Sequence, residues 1–121
     1  MADDGLGTVL VTGGSSGLGA AIVAAVGAEG GTPVVLDLQP PANGFAFRRV
    51  DLASPREAEA AVREVAEEHG GLDAVVTAAG TDACGKLDDV AGEDWDRVVK
   101  VNLLGTAAVV RAARACDIRP R

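Results

Sequence analysis

An apolar, β-branched run, Thr8-Val9-Leu10-Val11-Thr12, breaks directly into Gly13-Gly14-Ser15-Ser16-Gly17-Leu18-Gly19. Such a run reads as a buried strand ending in a glycine-rich turn. Leu18, Ile22, Ala25 and Val26 then recur at helical spacing, which predicts a helix over 17–29 closed by Gly30-Gly31. A helix that starts this way points its unpaired N–H groups at whatever lies in the turn, and so makes an anion site. Gly13 lets the chain turn sharply, and Gly17 lets backbone N–H groups approach a pyrophosphate. Gly19 removes a side chain where helix meets strand. The spacing is G-x-x-x-G-x-G, not the G-x-G-x-x-G of the general dinucleotide fingerprint.

The remaining elements alternate. Pro33-Val34-Val35-Leu36-Asp37 reads as a second strand, with proline at its first position, where a missing N–H does least harm. A loop rich in Pro and Gly leads to a third strand over 47–50. Ser54-Pro55-Arg56-Glu57 has the pattern of a capping box, with serine as N-cap, proline at N1 and glutamate at N3. Ala58, Ala61, Val62 and Val65 follow on one face, and Gly70-Gly71 ends the helix. Asp73-Ala74-Val75-Val76-Thr77 is a fourth strand. An amphipathic helix is expected over 93–114, burying Trp95, Val98, Val99, Leu103 and Val110.

Strands alternating with helices imply βαβ units and a parallel sheet. Right-handed crossovers set the first three strands side by side and place the fourth beyond the first, in the order 3-2-1-4. The expected fold is therefore α/β, a Rossmann-like doubly wound parallel sheet, truncated after its fourth strand, in one domain over 1–121. Its ligand crevice lies at the carboxyl ends of the strands, where the order reverses.

Within that frame Asp37 carries chemistry. It ends strand 2 roughly 20 residues beyond the glycine turn, where a ribose-binding acid is expected. A carboxylate there accepts hydrogen bonds from both ribose hydroxyls and repels a 2′-phosphate. Positions 15, 16 and 38 are Ser15, Ser16 and Leu38, so none offers that phosphate a cation. The residues favour NAD over NADP.

Composition excludes other classes. The net charge of −7 argues against nucleic acid, which needs clustered Lys and Arg. Arg111, Arg114, Arg119 and Arg121 do gather late in the chain, where cations complement a helix C-terminus. No apolar run reaches the ~18–20 residues of a membrane span. Met1-Ala2-Asp3-Asp4 is acidic and unlike a secretory leader, so a cytoplasmic setting is expected. Cys84 and Cys116 stand in no metal-ligand spacing, and no metal is expected. His69, just before two glycines, reads as a helix C-terminal residue, and Cys84 has no histidine partner that would activate it.

Taken together, these segments resemble the short-chain dehydrogenase/reductase family. Thr12-Gly13 through Gly17-Leu18-Gly19 is similar to its cofactor motif. Asp51-Leu52 after strand 3 resembles its adenine-contacting acid, and Ala78-Ala79-Gly80 resembles part of its N-N-A-G segment. Val101-Asn102-Leu103-Leu104-Gly105-Thr106 resembles the V-N-L-x-G-x stretch of its central helix, and Asn102 matches the asparagine of the catalytic tetrad. The resemblance implies hydride transfer between a nicotinamide dinucleotide and an alcohol or carbonyl substrate. Gly13, Ser15, Ser16, Gly17, Leu18, Gly19, Asp37, Asp51, Leu52, Ala79 and Gly80 are the cofactor contacts it implies.

Two departures qualify the resemblance. At N-N-A-G the chain reads Thr77-Ala78-Ala79-Gly80, so both asparagine amides are missing and weaker hydrogen bonding is expected after strand 4. The family's catalytic Ser and Tyr-x-x-x-Lys follow the central helix, and the 121 residues contain no tyrosine. Asn102 then reads either as a tetrad remnant or as a structural amide on the inner face of the helix. Three functional readings stand open: a truncated dehydrogenase inactive alone, a non-catalytic NAD-binding module, and half of an enzyme completed by another chain. Strand 4 would be a sheet edge, and apolar Ala74-Val75-Val76 would invite self-association or a complementing chain there.

Overall fold

Continuous apolar runs give each central strand two buried faces, so helices must cover both sides of the sheet. Leu10, Val34 and Leu36 point to one side, while Val9, Val11 and Val35 point to the other. The computed structural model, which describes residues 5–116, has this arrangement. Its elements are β1 (Thr8–Thr12), α1 (Gly17–Ala28), β2 (Thr32–Asp37), β3 (Ala46–Arg49), α2 (Pro55–Glu68), β4 (Ala74–Thr77), α3 (Gly92–Val99), a π-helical turn (Lys100–Gly105) and α4 (Thr106–Ala115). The four strands are parallel in the order β3-β2-β1-β4. The expected α/β doubly wound sheet and its strand order are present. The Met1–Asp4 segment, Arg119 and Arg121, on which sequence expectations were also placed, lie outside the described residues.

Two cores flank the sheet. The smaller packs Val23 and Val26 of α1 against Val9, Val11 and Val35. The larger packs α2 and α4 against Leu10, Val34 and Leu36, through Ala58, Val62, Val65, Val109 and Ala112. Leu10, Leu36, Val62 and Val109 are fully enclosed, so truncating either leucine to alanine costs on the order of 2–5 kcal/mol.

Three local expectations need correction. The face of α1 that turns inward is Gly19, Val23 and Val26, whereas Leu18 stands 72% exposed and Ala25 faces solvent. Ser54 is the N-cap of α2 but makes no side-chain capping bond, so the predicted capping box does not form. Asp51 organises that turn instead, with Oδ1 accepting the Ala53 N–H at 2.9 Å and its carbonyl accepting the Ser54 N–H at 3.0 Å. The last helical span is continuous from 92 to 115 but contains the π turn, and Trp95, Leu103 and Val110 are exposed, at 49%, 62% and 43%. Val98 and Val99 are half-buried. The fully inward positions are Val101, Gly105, Ala108, Val109, Ala112 and Ala113.

Steric room explains that face. A Cβ placed on Gly105 would come within 2.5 Å of the Leu52 carbonyl oxygen and 3.0 Å of the Leu52 Cβ. The helix thus crosses the segment after β3 at a distance only glycine permits, and small residues follow where α4 meets α2. A π turn carries one extra residue per turn, so it rotates the face that follows. A strict 3.6-residue reading therefore selects the wrong side. Gly105→Ala sets a helix-propensity gain of about 1 kcal/mol against an overpacking cost of roughly 1–3 kcal/mol. Because the obstacle is backbone, the cost prevails. The variant is expected to be less stable by roughly 1–2 kcal/mol, read as a lower urea midpoint at unchanged slope.

Candidate nucleotide-binding site

Parallel strands deliver their carboxyl ends to one edge of the sheet, and the loops leaving β1, β2, β3 and β4 enclose a cleft of about 360 Å³ there. Its lining includes Gly13, Ser16, Gly17 and Leu18 from the first loop, and Asp37 and Leu38 from the second. The third loop adds Val50, Asp51 and Leu52, the fourth Ala78, Ala79, Gly80 and Thr81, and the last helical span Arg97 and Val101.

The glycines occupy positions that other residues could not. Gly13 has φ +68°, and a Cβ there would lie 2.6 Å from the Ala79 Cα. A Cβ on Gly19 would lie 2.0 Å from the Gly13 carbonyl oxygen. Gly17, at φ +54°, differs: nothing lies within 4 Å of where its Cβ would stand. That open space sits at the start of α1, whose N-cap Ser16 makes no side-chain capping bond and whose first turn holds no acidic residue. The first N–H groups of α1 therefore face the cleft side of the turn without a side-chain acceptor, as an anion site requires.

Asp37 is tied into the same turn. Its Oδ2 accepts the Ser15 N–H at 3.1 Å, while Oδ1 accepts the Leu38 and Gln39 N–H groups at 2.6 and 3.3 Å. The Ser15 hydroxyl donates to the Gln39 carbonyl. These bonds lock the ends of β1 and β2 together. They also occupy much of the carboxylate, which leaves acceptor capacity on Oδ2.

After β4 the chain is held without the two asparagines of the N-N-A-G segment. The Ala78 N–H bonds to the Thr12 carbonyl and the Ala79 N–H to the Thr12 hydroxyl, each at 3.2 Å. The Asn102 amide grips Thr81 both ways: Oδ1 accepts the Thr81 N–H at 2.9 Å, and Nδ2 donates to the Thr81 carbonyl at 2.8 Å. Loop bonding that was expected to be weak is thus supplied by Thr12 and Asn102.

The structure brings nine of the expected contacts to the cleft wall: Gly13, Ser16, Gly17, Leu18, Asp37, Asp51, Leu52, Ala79 and Gly80. Ser15, Gly19 and Asn102 stand behind it, shaping the turn and the loop. Arg97 was missed. Its Nη1 and Nη2 donate to Oδ2 and Oδ1 of Asp51 at 3.2 and 3.3 Å. The available signal was a cation four residues before the inward Val101. His69 is the C-cap of α2, with Nδ1 3.0 Å from the Val65 carbonyl oxygen. Cys84 is an exposed free thiol. Among the described residues, no group of three or more His, Cys, Asp or Glu could hold a metal ion. None of the described helices is long and apolar enough to cross a membrane.

Glycine turn, strand-end acids and sheet order agree with a sequence match to a known family, described as short chain dehydrogenase, over residues 7–117. The chain belongs to the short-chain dehydrogenase family. It is 35% identical to 3-hydroxyacyl-CoA dehydrogenase type-2 of Bos taurus, over 84% of its own length and 45% of that protein's. It superimposes on the ligand-free aldohexose dehydrogenase of Thermoplasma acidophilum with a TM-score of 0.87 and 29% identity, covering 94% of this chain and 45% of that one. A short chain dehydrogenase of Burkholderia cenocepacia, solved in complex with NADP, gives 0.81 and 31%, covering 93% and 51%. The chain spans about half the length of the relatives it matches.

Burial pushes the Asp51 carboxyl upward, but the Ala53 N–H, the hydrogen bonds and charge of Arg97 and the charge of Arg49 outweigh it, leaving the group below its ordinary 3.8. A carboxyl lowered in the folded state stabilises the fold above its ordinary value, and that contribution disappears as pH falls through the folded value. Asp51→Asn is expected to lower the urea midpoint by a constant amount between about pH 5 and 7. The difference from the parent chain should shrink progressively below 3.8. Urea titrations of both proteins across that range check it.

Proposed function

We propose that these 121 residues form one nucleotide-binding domain that holds a nicotinamide dinucleotide, NAD in preference to NADP, for oxidation or reduction of an alcohol or carbonyl. The observation that carries this reading is the open space over Gly17 at the uncapped start of α1, with the Asp37 carboxylate at the neighbouring strand end. A pyrophosphate fits the first, and a ribose hydroxyl fits the second. When bound, the nicotinamide ring supplies the hydride or accepts it.

The chain's own residues do the holding. Backbone N–H groups at Ser16, Gly17 and Leu18 would receive phosphate oxygens. Asp37 would accept a ribose hydroxyl on Oδ2 and repel a 2′-phosphate. Asp51 and Leu52 would border the base, and Ala79 and Gly80 the nicotinamide side. Asn102 acts by fixing Thr81, which closes that side of the cleft.

The Burkholderia relative is solved in complex with NADP, so the preference is a property to be measured on this chain. Among the described residues lining the cleft, none beside Asp37 offers a 2′-phosphate a cation, and Arg97 is engaged by Asp51. By calorimetry the 121-residue chain is expected to bind NAD more tightly than NADP. Asp37→Ala should weaken NAD by about 1.5–3 kcal/mol, the scale of a hydrogen bond to a charged group, and weaken NADP far less. Gly17→Trp, which fills the open space, should abolish both. Unchanged NAD affinity in Asp37→Ala would refute the ribose assignment.

Proton transfer by a tyrosine is outside the means of these residues, because none of the 121 is tyrosine. The 121-residue chain is therefore expected to bind the dinucleotide and leave secondary alcohols unoxidised. NADH production with such alcohols, lost in Gly17→Trp, would overturn that expectation.

A further inference from the structure

We infer that Arg97 is a positioning residue: it aims the Asp51 carboxylate and so selects the base of a nucleotide held in the cleft. The inference rests on the nucleotide-binding reading above, in which Asp51 borders the base, and adds the residue that holds Asp51 in place.

Three observations carry it. Arg97 is the only cation among the described residues lining the cleft, and its guanidinium faces both oxygens of Asp51. From the chain's own turn, the Ala53 N–H binds Oδ1 as well. The carboxylate is thus gripped by backbone at one oxygen and by a two-pronged cation across both. Such a fork fixes the plane of a carboxylate, which a single contact leaves free to rotate.

The acceptor count then becomes selective. An ionised carboxylate offers about four lone-pair positions and no donor. Three are in use, and the remaining one lies on Oδ2. Val50, Leu52 and Val101 line the same cleft and give it apolar surface suited to a flat ring. A base that presents an amino group there gains a hydrogen bond to a charged acceptor. A base that presents a carbonyl at the same position meets like partial charge. Adenine and hypoxanthine differ in that way at their 6-position, so the held carboxylate favours adenine.

A purely structural role for Arg97 predicts something else. Helix α3 buries none of its residues, so the Arg97–Asp51 bridge also ties α3 to the loop after β3. If that tie were all, losing it would loosen the cleft and weaken every nucleotide alike. The ratio of affinities for two bases separates the roles, because loosening leaves a ratio unchanged.

The test is calorimetry of the 121-residue chain with ADP and with IDP, the hypoxanthine counterpart. The parent chain is expected to bind ADP about tenfold more tightly, the scale of one hydrogen bond to a charged group. Arg97→Met should bring the ratio to about twofold or less, and Arg97→Lys, which keeps the charge without the fork, should fall between. Asp51→Asn should abolish the preference, and adding Arg97→Met to it should change nothing more, as coupled residues require. A full ratio in Arg97→Met, with both nucleotides weakened, overturns the inference while the nucleotide-binding reading stands. A parent chain that binds both nucleotides equally does the same. A parent chain that binds neither overturns both. If circular dichroism shows Arg97→Met unfolded, Arg97→Lys decides: a reduced ratio supports the inference and an unchanged one ends it.

Discussion

The distance between the turn after β1 and the loop after β4 governs much of this molecule. A Cβ on Gly13 would lie 2.6 Å from the Ala79 Cα, and one on Gly19 would lie 2.0 Å from the Gly13 carbonyl oxygen. No packing adjustment relieves contacts of that kind, because the obstacles are backbone atoms. With glycine at both positions, the Thr12 carbonyl and hydroxyl reach the Ala78 and Ala79 N–H groups. Strand β4 then continues the sheet beside β1, and the order reverses there. The cleft opens at that reversal as a consequence of topology. Its floor is backbone, which suits a ligand recognised through N–H groups.

Asp51 joins local structure to the site in a comparable way. One side chain organises the turn into α2 through Ala53 and receives Arg97 from a helix 46 residues later. The π turn that follows brings the helix over Leu52, where Gly105 leaves room. The loop after β3, the start of α2 and the last helical span are therefore fixed relative to one another at a single place. That place is the wall of the cleft. Exposed ion pairs contribute little to stability as a rule, and the Arg97–Asp51 pair, with both partners more than a third exposed, belongs to that class. Its consequence is orientation more than energy.

Sheet, strand order and most of the cleft were legible in the sequence because they depend on short continuous apolar runs, glycine positions and the handedness of crossovers. Those signals are local, and the steric rules behind them have few solutions. The errors fall where tertiary contacts overrule a local pattern. Ser54 and Glu57 have the spacing of a capping box, yet Asp51, three residues earlier, takes over the turn because its carboxylate can reach Ala53. Trp95, Leu103 and Val110 are large and apolar, yet the helix turns Gly105, Ala108 and Ala112 inward, with the Leu52 backbone leaving room only for glycine at 105. Hydropathy alone ranks those positions the wrong way round. Arg97 escaped for a third reason: its partner is distant in sequence, and a charged residue on an amphipathic helix reads as solvated by default.

The two acids of the cleft show how a parallel sheet builds recognition at low cost in sequence. Asp37 leaves β2 and Asp51 follows β3, and these strands are neighbours in register, with Asp37 opposite Arg49. Adjacent parallel strands lie about 4.8 Å apart, so side chains at their carboxyl ends follow one another along the edge of the sheet at roughly the spacing of a sugar and its base. Each carboxylate first satisfies backbone N–H groups of its own loop, Leu38 and Gln39 for one and Ala53 for the other. That bonding holds the acid still before any ligand arrives, and reduces the ordering cost of binding. The acids differ in their second partner. Asp37 meets the neutral Ser15 N–H, whereas Asp51 meets the Arg97 guanidinium. On the proposed reading, the uncompensated charge of Asp37 would discriminate against a phosphate on the ribose. The compensated charge of Asp51 can sit beside a ring without repelling the phosphates nearby. On the proposed reading, exchanging the two environments would place a neutralised acid at the ribose and a bare one at the base, and both distinctions would be lost at once.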